Sequence, residues 1–210
     1  MLHGLRGIAA IGVLLFHWVS LFPELASSVS NLSALGTTWN LSALIGVGWL
    51  GVPLFFVLSG YLLGSVLAHR ELSLPVVARF WKRRFYRIYP AVWVQLAILI
   101  TLLPIPPPSN ADLFRNLALW VNLPPWMTPP INGVWWTLPV ELGFYLLLPL
   151  LILIQRKIGW VPLLIGSMAL TLTWRGGSIL LIEREDNASL LTILDALPGT
   201  LFTFVAGLSL

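Results

Sequence analysis

The 210-residue chain is 58% hydrophobic and only 10% charged, with 12 Lys and Arg against 8 Asp and Glu and a mean hydropathy of +0.89. So little charge cannot cover the surface of a soluble domain, which excludes that class, and the lack of cysteine removes disulfide and thiol chemistry. The basic balance invites a nucleic-acid reading, but one short basic segment between apolar runs offers no folded reader, so no nucleic-acid partner is expected.

Apolar runs of about 15 to 20 residues, the rough length that crosses hydrocarbon, recur at 5–22, 49–67, 88–103, 137–154 and 160–174, with a shorter sixth at 197–210. They define an all-α, polytopic transmembrane helical bundle of about five to six spans, one integral-membrane domain over residues 1–210. The lipid bilayer is therefore the first partner. The last run is still apolar at Leu210, so the chain is expected to be part of a larger bundle, incomplete at its C-terminus. Proline-rich stretches at 104–108 and 123–130 predict an irregular third loop. In the second span, Gly60 and Gly64 form a GxxxG beside Ser59, a signature of close helix packing.

Cations orient the bundle. The second loop carries Arg70, Arg79, Lys82, Arg83, Arg84 and Arg87, and Arg6, Arg156 and Lys157 share its side; Arg115, Arg175 and Arg184 fall on the other. The positive-inside rule then places the N-terminus in the cytoplasm. A cleavable signal peptide is the competing reading of the first span, with small residues at Ala26, Ser27 and Ser28, but that span holds a histidine and the rest of the chain is equally membranous. The sequons at Asn31 and Asn40 fall on the outer side.

The charged residues inside or beside the spans carry the chemistry. Arg6 and His17 are eleven residues apart, three helical turns plus about 20°, so they share a face some ~16 Å apart. Arg6 serves as a cytoplasmic anchor on one reading and His17 as a packing histidine on another. An ionisable residue within a span nevertheless suggests function, because its desolvation is costly. Glu141 lies about one turn below the outer boundary of the fourth span, near the depth of His17, where a carboxylate would orient and strengthen an imidazole base. Alternatively it reaches up to water. Arg84 and Arg87, spaced i, i+3 within the aromatic-rich ARFWKRRFYRIYP at 78–90, suit either anionic lipid or a phosphorylated ligand. No grouping suggests a metal site.

Four stretches taken in order resemble the membrane acyltransferase-3 family, which includes bacterial enzymes that O-acylate cell-surface polysaccharides. HGLRGIAAIGVLLFH at 3–17 is similar to its opening block, with Arg6 and His17 at the spacing of the family's Arg and His. GVPLFFVLSGYLL at 51–63 resembles the second block. RRFYRIYP at 83–90 resembles the third, its Arg-x-x-Arg on Arg84 and Arg87. WWTLPVELGFYLLLPLL at 135–151 resembles the fourth, its glutamate on Glu141. Two departures are His3, where the family usually has an acid, and Leu142, where a second glutamate is frequent.

The resemblance implies an acyltransferase in the bacterial inner membrane. It would move an acyl group, usually acetyl, from cytoplasmic acyl-CoA to a hydroxyl of a cell-envelope carbohydrate. Acyl-CoA would be a co-substrate, with no cofactor bound permanently. Arg6, Arg84 and Arg87 would bind acyl-CoA, and His17 and Glu141 would be catalytic. The competing readings are a transporter or flippase using His17 and Glu141 as a proton relay, and an inactive fragment of an acyltransferase.

Overall fold

The structure, a computed structural model, describes residues 2–24, 32–34, 36–102, 106–123, 128–185 and 191–210. The cleavage-like residues 26–28, the sequon asparagine at 31, and parts of both proline-rich stretches lie outside the described residues. Among the described residues, five helical segments are long and apolar enough to cross a membrane: Gly4–Leu21, Val47–Ala68, Leu74–Leu102, Gly133–Ile158 and Trp160–Glu183. The chain is an all-α integral membrane protein. Side chains such as Ile8, Leu14, Leu172 and Leu180 are well exposed on these helices, as hydrocarbon allows and water does not favour.

The first span is α1 (Leu2–Leu21). A short antiparallel hairpin follows, β1 (Leu32–Ala34) pairing with β2 (Thr37–Trp39). Asn40 then caps α2 (Leu41–Gly46) by accepting a hydrogen bond from the Ser42 amide at 3.1 Å. A 3-10 turn, Val47–Leu50, runs directly into α3 (Gly51–Ala68). The remaining spans are α4 (Leu74–Leu102), α6 (Thr137–Ile158) and α7 (Trp160–Glu185), with the short α5 (Asn110–Leu117) between α4 and α6. After α7 come one turn, α8 (Leu191–Leu194), and α9 (Leu197–Leu208).

Proline placement explains several boundaries. Pro53, Pro75, Pro139, Pro162 and Pro198 all stand in the first turn of their helices, where the missing N–H costs no intrahelical bond. Pro149 is different, because it lies inside α6 and cannot donate to the Tyr145 carbonyl one turn back. The Trp81 indole of α4 supplies the missing donor, at 3.0 Å. That bond fixes the basic stretch of α4 against α6.

Three expectations need adjusting. The basic stretch expected as a loop before a span at 88–103 is helix from Leu74 onward. It has no breaker between Pro75 and Pro90, and its interleaved apolar residues bury Phe80, Ile88 and Tyr89. The fifth span continues past 174 because the Arg175 guanidinium is satisfied within the protein, by Asp195 and the Gly199 carbonyl. The third loop is not wholly irregular. Ser109 caps α5, accepting from the Asp112 amide at 3.1 Å while its hydroxyl donates to the Asp112 carboxylate at 2.6 Å. The hydroxyl thus satisfies an amide of the first turn and also ties itself to the side chain three residues on.

The packed centre is formed by α3, α6 and α9. Phe144 stacks on Phe204 with centroids 4.0 Å apart, and Phe56 stacks on Phe204 at 4.5 Å. The GxxxG of α3 faces α9: a Cβ on Gly60 would run into the Phe204 carbonyl, and one on Gly64 into the Leu208 side chain. Close packing is thus the role of that motif. At the other end of α3, Arg156 of α6 donates to the carbonyls of Ala68 at 2.8 Å and Arg70 at 2.5 Å, closing the helix terminus.

Candidate active site

α1 rests on the start of α3 through small residues. Gly48 lies against Gly12, and Gly51 against Ala9, so closely that a Cβ at either position would meet main chain. This approach brings Arg6 and His17 to a cavity of about 510 Å³ that is also lined by Arg87 of α4, Glu141 of α6, Ser59, Gln95 and Trp136. The volume falls within the usual range for small-molecule sites. Four of the five residues singled out from sequence therefore share one cavity.

His17 is held by its own helix. Nδ1 lies 2.8 Å from the Val13 carbonyl oxygen, one turn back. A carbonyl can only accept, so Nδ1 carries the proton and, in the neutral ring, Nε2 carries the free lone pair. Phe16 packs edge-on to the imidazole with centroids 5.5 Å apart. The ring's hydrogen-bond partner on this side is the α1 backbone rather than a carboxylate.

Glu141 accepts a hydrogen bond from the Tyr145 hydroxyl, one turn further along α6. No His17–Glu141 ion pair is present among the described residues. The two share a cavity without touching, which leaves room for a reacting group between them. Trp135 extends the polar wall by donating its indole N–H to Gln95 Oε1 at 3.0 Å.

Arg84 is the residue the cavity omits. A spacing of i, i+3 leaves about 60° between two side chains on a helix, enough to send them to different surroundings. Arg87 lines the cavity. Arg84 turns to α6, its guanidinium 5.5 Å from the Tyr145 ring centroid and 5.6 Å from that of Phe80, a cation–π arrangement. Its buried Nε has no hydrogen-bond partner. Arg84 thus touches the tyrosine that holds Glu141.

Sequence reading missed Tyr145, Gln95 and Trp136. The i, i+4 spacing of Glu141 and Tyr145 was the available signal for the first; nothing local marks the other two.

An integral membrane helical protein with an imidazole, a carboxylate and two guanidinium groups around one cavity is equipped for group transfer assisted by acid and base. The chain belongs to the acyltransferase domain family (acyltransferase-3), whose model matches residues 2–210, in agreement with the four blocks read from sequence. It is 29% identical over 178 residues to the O-acetyltransferase OatA of Staphylococcus aureus strain NCTC 8325, covering 72% of this chain and 24% of that protein. It is 26% identical over 200 residues to the peptidoglycan O-acetyltransferase OatA of Listeria monocytogenes, covering 81% of this chain and 28% of that protein. A putative O-acetyltransferase of Staphylococcus aureus strain COL is 35% identical over 102 residues, 48% of this chain and 13% of the relative. The chain spans about a quarter of the length of the first two relatives. No solved structure matches it.

Proposed function

We propose that this chain is the membrane part of an O-acetyltransferase of the bacterial inner membrane, with its N-terminus cytoplasmic. It moves an acetyl group from cytoplasmic acetyl-CoA to a hydroxyl of a cell-envelope carbohydrate. The observation that carries the reading is the shared cavity of Arg6, His17, Arg87 and Glu141, in a family whose relatives are named O-acetyltransferases. The guanidinium groups of Arg6 and Arg87 suit the phosphates of the donor, which a forked cation binds in bidentate fashion. Arg84 supports the Glu141 side of the site instead, through Tyr145.

His17 Nε2 takes the proton of the acceptor hydroxyl as its oxygen attacks the thioester carbonyl. The C–S bond then breaks, and the CoA thiolate leaves with a proton returned from the imidazolium. Nδ1–H stays on the Val13 carbonyl throughout and holds the ring. The Glu141 carboxylate stabilises the positive charge that develops on the imidazole. The same tautomer also serves an acyl-imidazole route, in which Nε2 attacks the thioester and expels the CoA thiolate, and the acceptor oxygen then displaces the imidazole, its proton passing to the freed Nε2 and from there to the thiolate.

Vesicles of opposite orientation, prepared from cells making the intact protein, test the proposal. Radiolabelled acetyl-CoA should label envelope carbohydrate when offered to the cytoplasmic face and not when offered only to the outer face. No transfer from either face would sink the proposal in favour of a proton-coupled transporter.

A further inference from the structure

A second cavity, of about 340 Å³, adjoins the first. His17, Val52, Phe56 and Trp136 line both, so the imidazole stands in a wall between two chambers. Beyond that wall the chambers differ. The first holds two guanidinium groups, Arg6 and Arg87, to one carboxylate, Glu141, and neither arginine forms an ion pair among the described residues. The second is lined by Thr171 and Arg175 of α7, by Asp195, by Thr203 of α9 and by Trp49.

Its charges are already matched. Arg175 donates to the Asp195 carboxylate at 2.5 Å and, through Nε, to the Gly199 carbonyl at 2.9 Å. A paired cation and anion give a neutral chamber, unsuited to a polyphosphate. Both side chains remain more than two-fifths exposed, at 42% and 44%, so donors and acceptors stand side by side for a ligand. Vicinal hydroxyls of a sugar need that combination, and an indole wall offers a face for its ring.

Bracing does not exhaust the role of the pair. The α8–α9 junction is already tied to α7 by Trp174, which donates to the Ile193 carbonyl at 2.8 Å, and by Thr171, which donates to the Pro198 carbonyl at 2.9 Å. Depth agrees as well. Arg175 is fifteen residues into α7 and His17 fifteen into α1, so each lies ~22 Å along a helix running in the same sense. An arginine that far into a span is costly unless it serves a purpose.

We propose that the second cavity is the acceptor subsite. It takes a neutral, hydroxyl-bearing sugar unit of an envelope glycan, with Arg175 and Asp195 hydrogen-bonding its hydroxyls and Trp136 against its ring. A hydroxyl is thereby presented to His17 from the chamber opposite the donor. The assignment rests on the acetyl-transfer reading but is measured separately from it.

The experiment uses the intact protein in nanodiscs, with chitotetraose as probe, and the substitutions Asp195→Asn and Thr203→Leu. The first weakens the charged pair, and the second narrows the chamber without touching it. Each should raise the Kd for the probe roughly tenfold, the scale of one weakened hydrogen bond to a charged group for Asp195→Asn and of an overfilled pocket for Thr203→Leu, with the KM for acetyl-CoA unchanged. A KM for acetyl-CoA that rises in step with the Kd would make the pair a structural brace and overturn the assignment. So would wild-type probe affinity in both variants, or a wild-type protein that does not bind the probe. If the wild type transfers no acetyl group yet loses probe binding on both substitutions, the carbohydrate site stands and the acetyl-transfer reading fails.

Discussion

The two helices that supply the imidazole and the carboxylate are held in very different ways. In the hydrophobic window of α1, 6% of residues are buried; in the window that includes α6 the figure is 44%. α6 is fixed by interlocked rings, with Phe144 on Phe204, and by Trp81 donating to its free carbonyl. α1 rests on α3 through Ala9 and Gly12, with little side-chain interdigitation. Glu141 therefore stands on a rigid post. The position of His17 depends on a narrow seam of backbone contact at Gly48 and Gly51.

The largest effect should come from removing the groups themselves. His17→Ala should lower acetyl transfer by about 1000-fold, within the range for a general base, with membrane insertion intact because the span becomes more apolar. Glu141→Gln, which keeps the shape but not the charge, should cost about 100-fold. Initial rates in the intact protein should show the double variant hardly worse than His17→Ala, since groups acting as a unit are not additive. Near-normal transfer by His17→Ala would reduce it to a packing histidine.

A smaller effect should separate the seam from the post. A Cβ at Gly48 would run into the Gly12 carbonyl, which is main chain and cannot turn aside. Gly48→Ala should displace α1 and lower transfer roughly 10- to 100-fold, as expected for a shift of about 1 Å in a catalytic group. The matching change on α6, Gly143→Ala, meets the Leu197 side chain tip at 2.9 Å, which can rotate away. Its rate should stay close to that of wild type. Equal losses in the two variants, read at matched membrane levels, would erase the distinction between the helices.

The smallest effects concern α4, which offers one arginine to each helix. Arg87→Lys keeps the charge and loses the fork, so it should raise the KM for acetyl-CoA about fivefold with kcat little changed. Arg84→Lys should leave that KM alone and lower kcat a few-fold, because Arg84 reaches the site only through the Tyr145 ring. Identical kinetic signatures would mean that the two side chains are not divided as the structure has them.

Some of this was legible because it is local. The His17–Val13 bond and the Glu141–Tyr145 bond each join residues four apart on one helix, a spacing any helical reading supplies. The Ser109 cap on the Asp112 amide is equally local, although the surrounding prolines obscured it. The division of Arg84 from Arg87 was not legible, because 60° of helical rotation matters only once neighbouring helices are in place. Nor was the pairing of Arg175 with Asp195, which crosses twenty residues and a turn.

The sequence by itself determined that this is a polytopic helical membrane protein of the acyltransferase-3 type, and which helices carry the titratable groups. Span length and apolarity answer to the bilayer, a constraint that acts on each segment separately, and the four motif blocks lie within single segments. Only the tertiary structure decided that Arg6, His17, Arg87 and Glu141 meet in one cavity, that Arg84 does not, and that His17 faces a second chamber. Those relations depend on how helices rotate and approach one another. Here the approach is set by glycines at the α1–α3 and α3–α9 contacts and by an indole that completes the α6 backbone, partners that no single span contains.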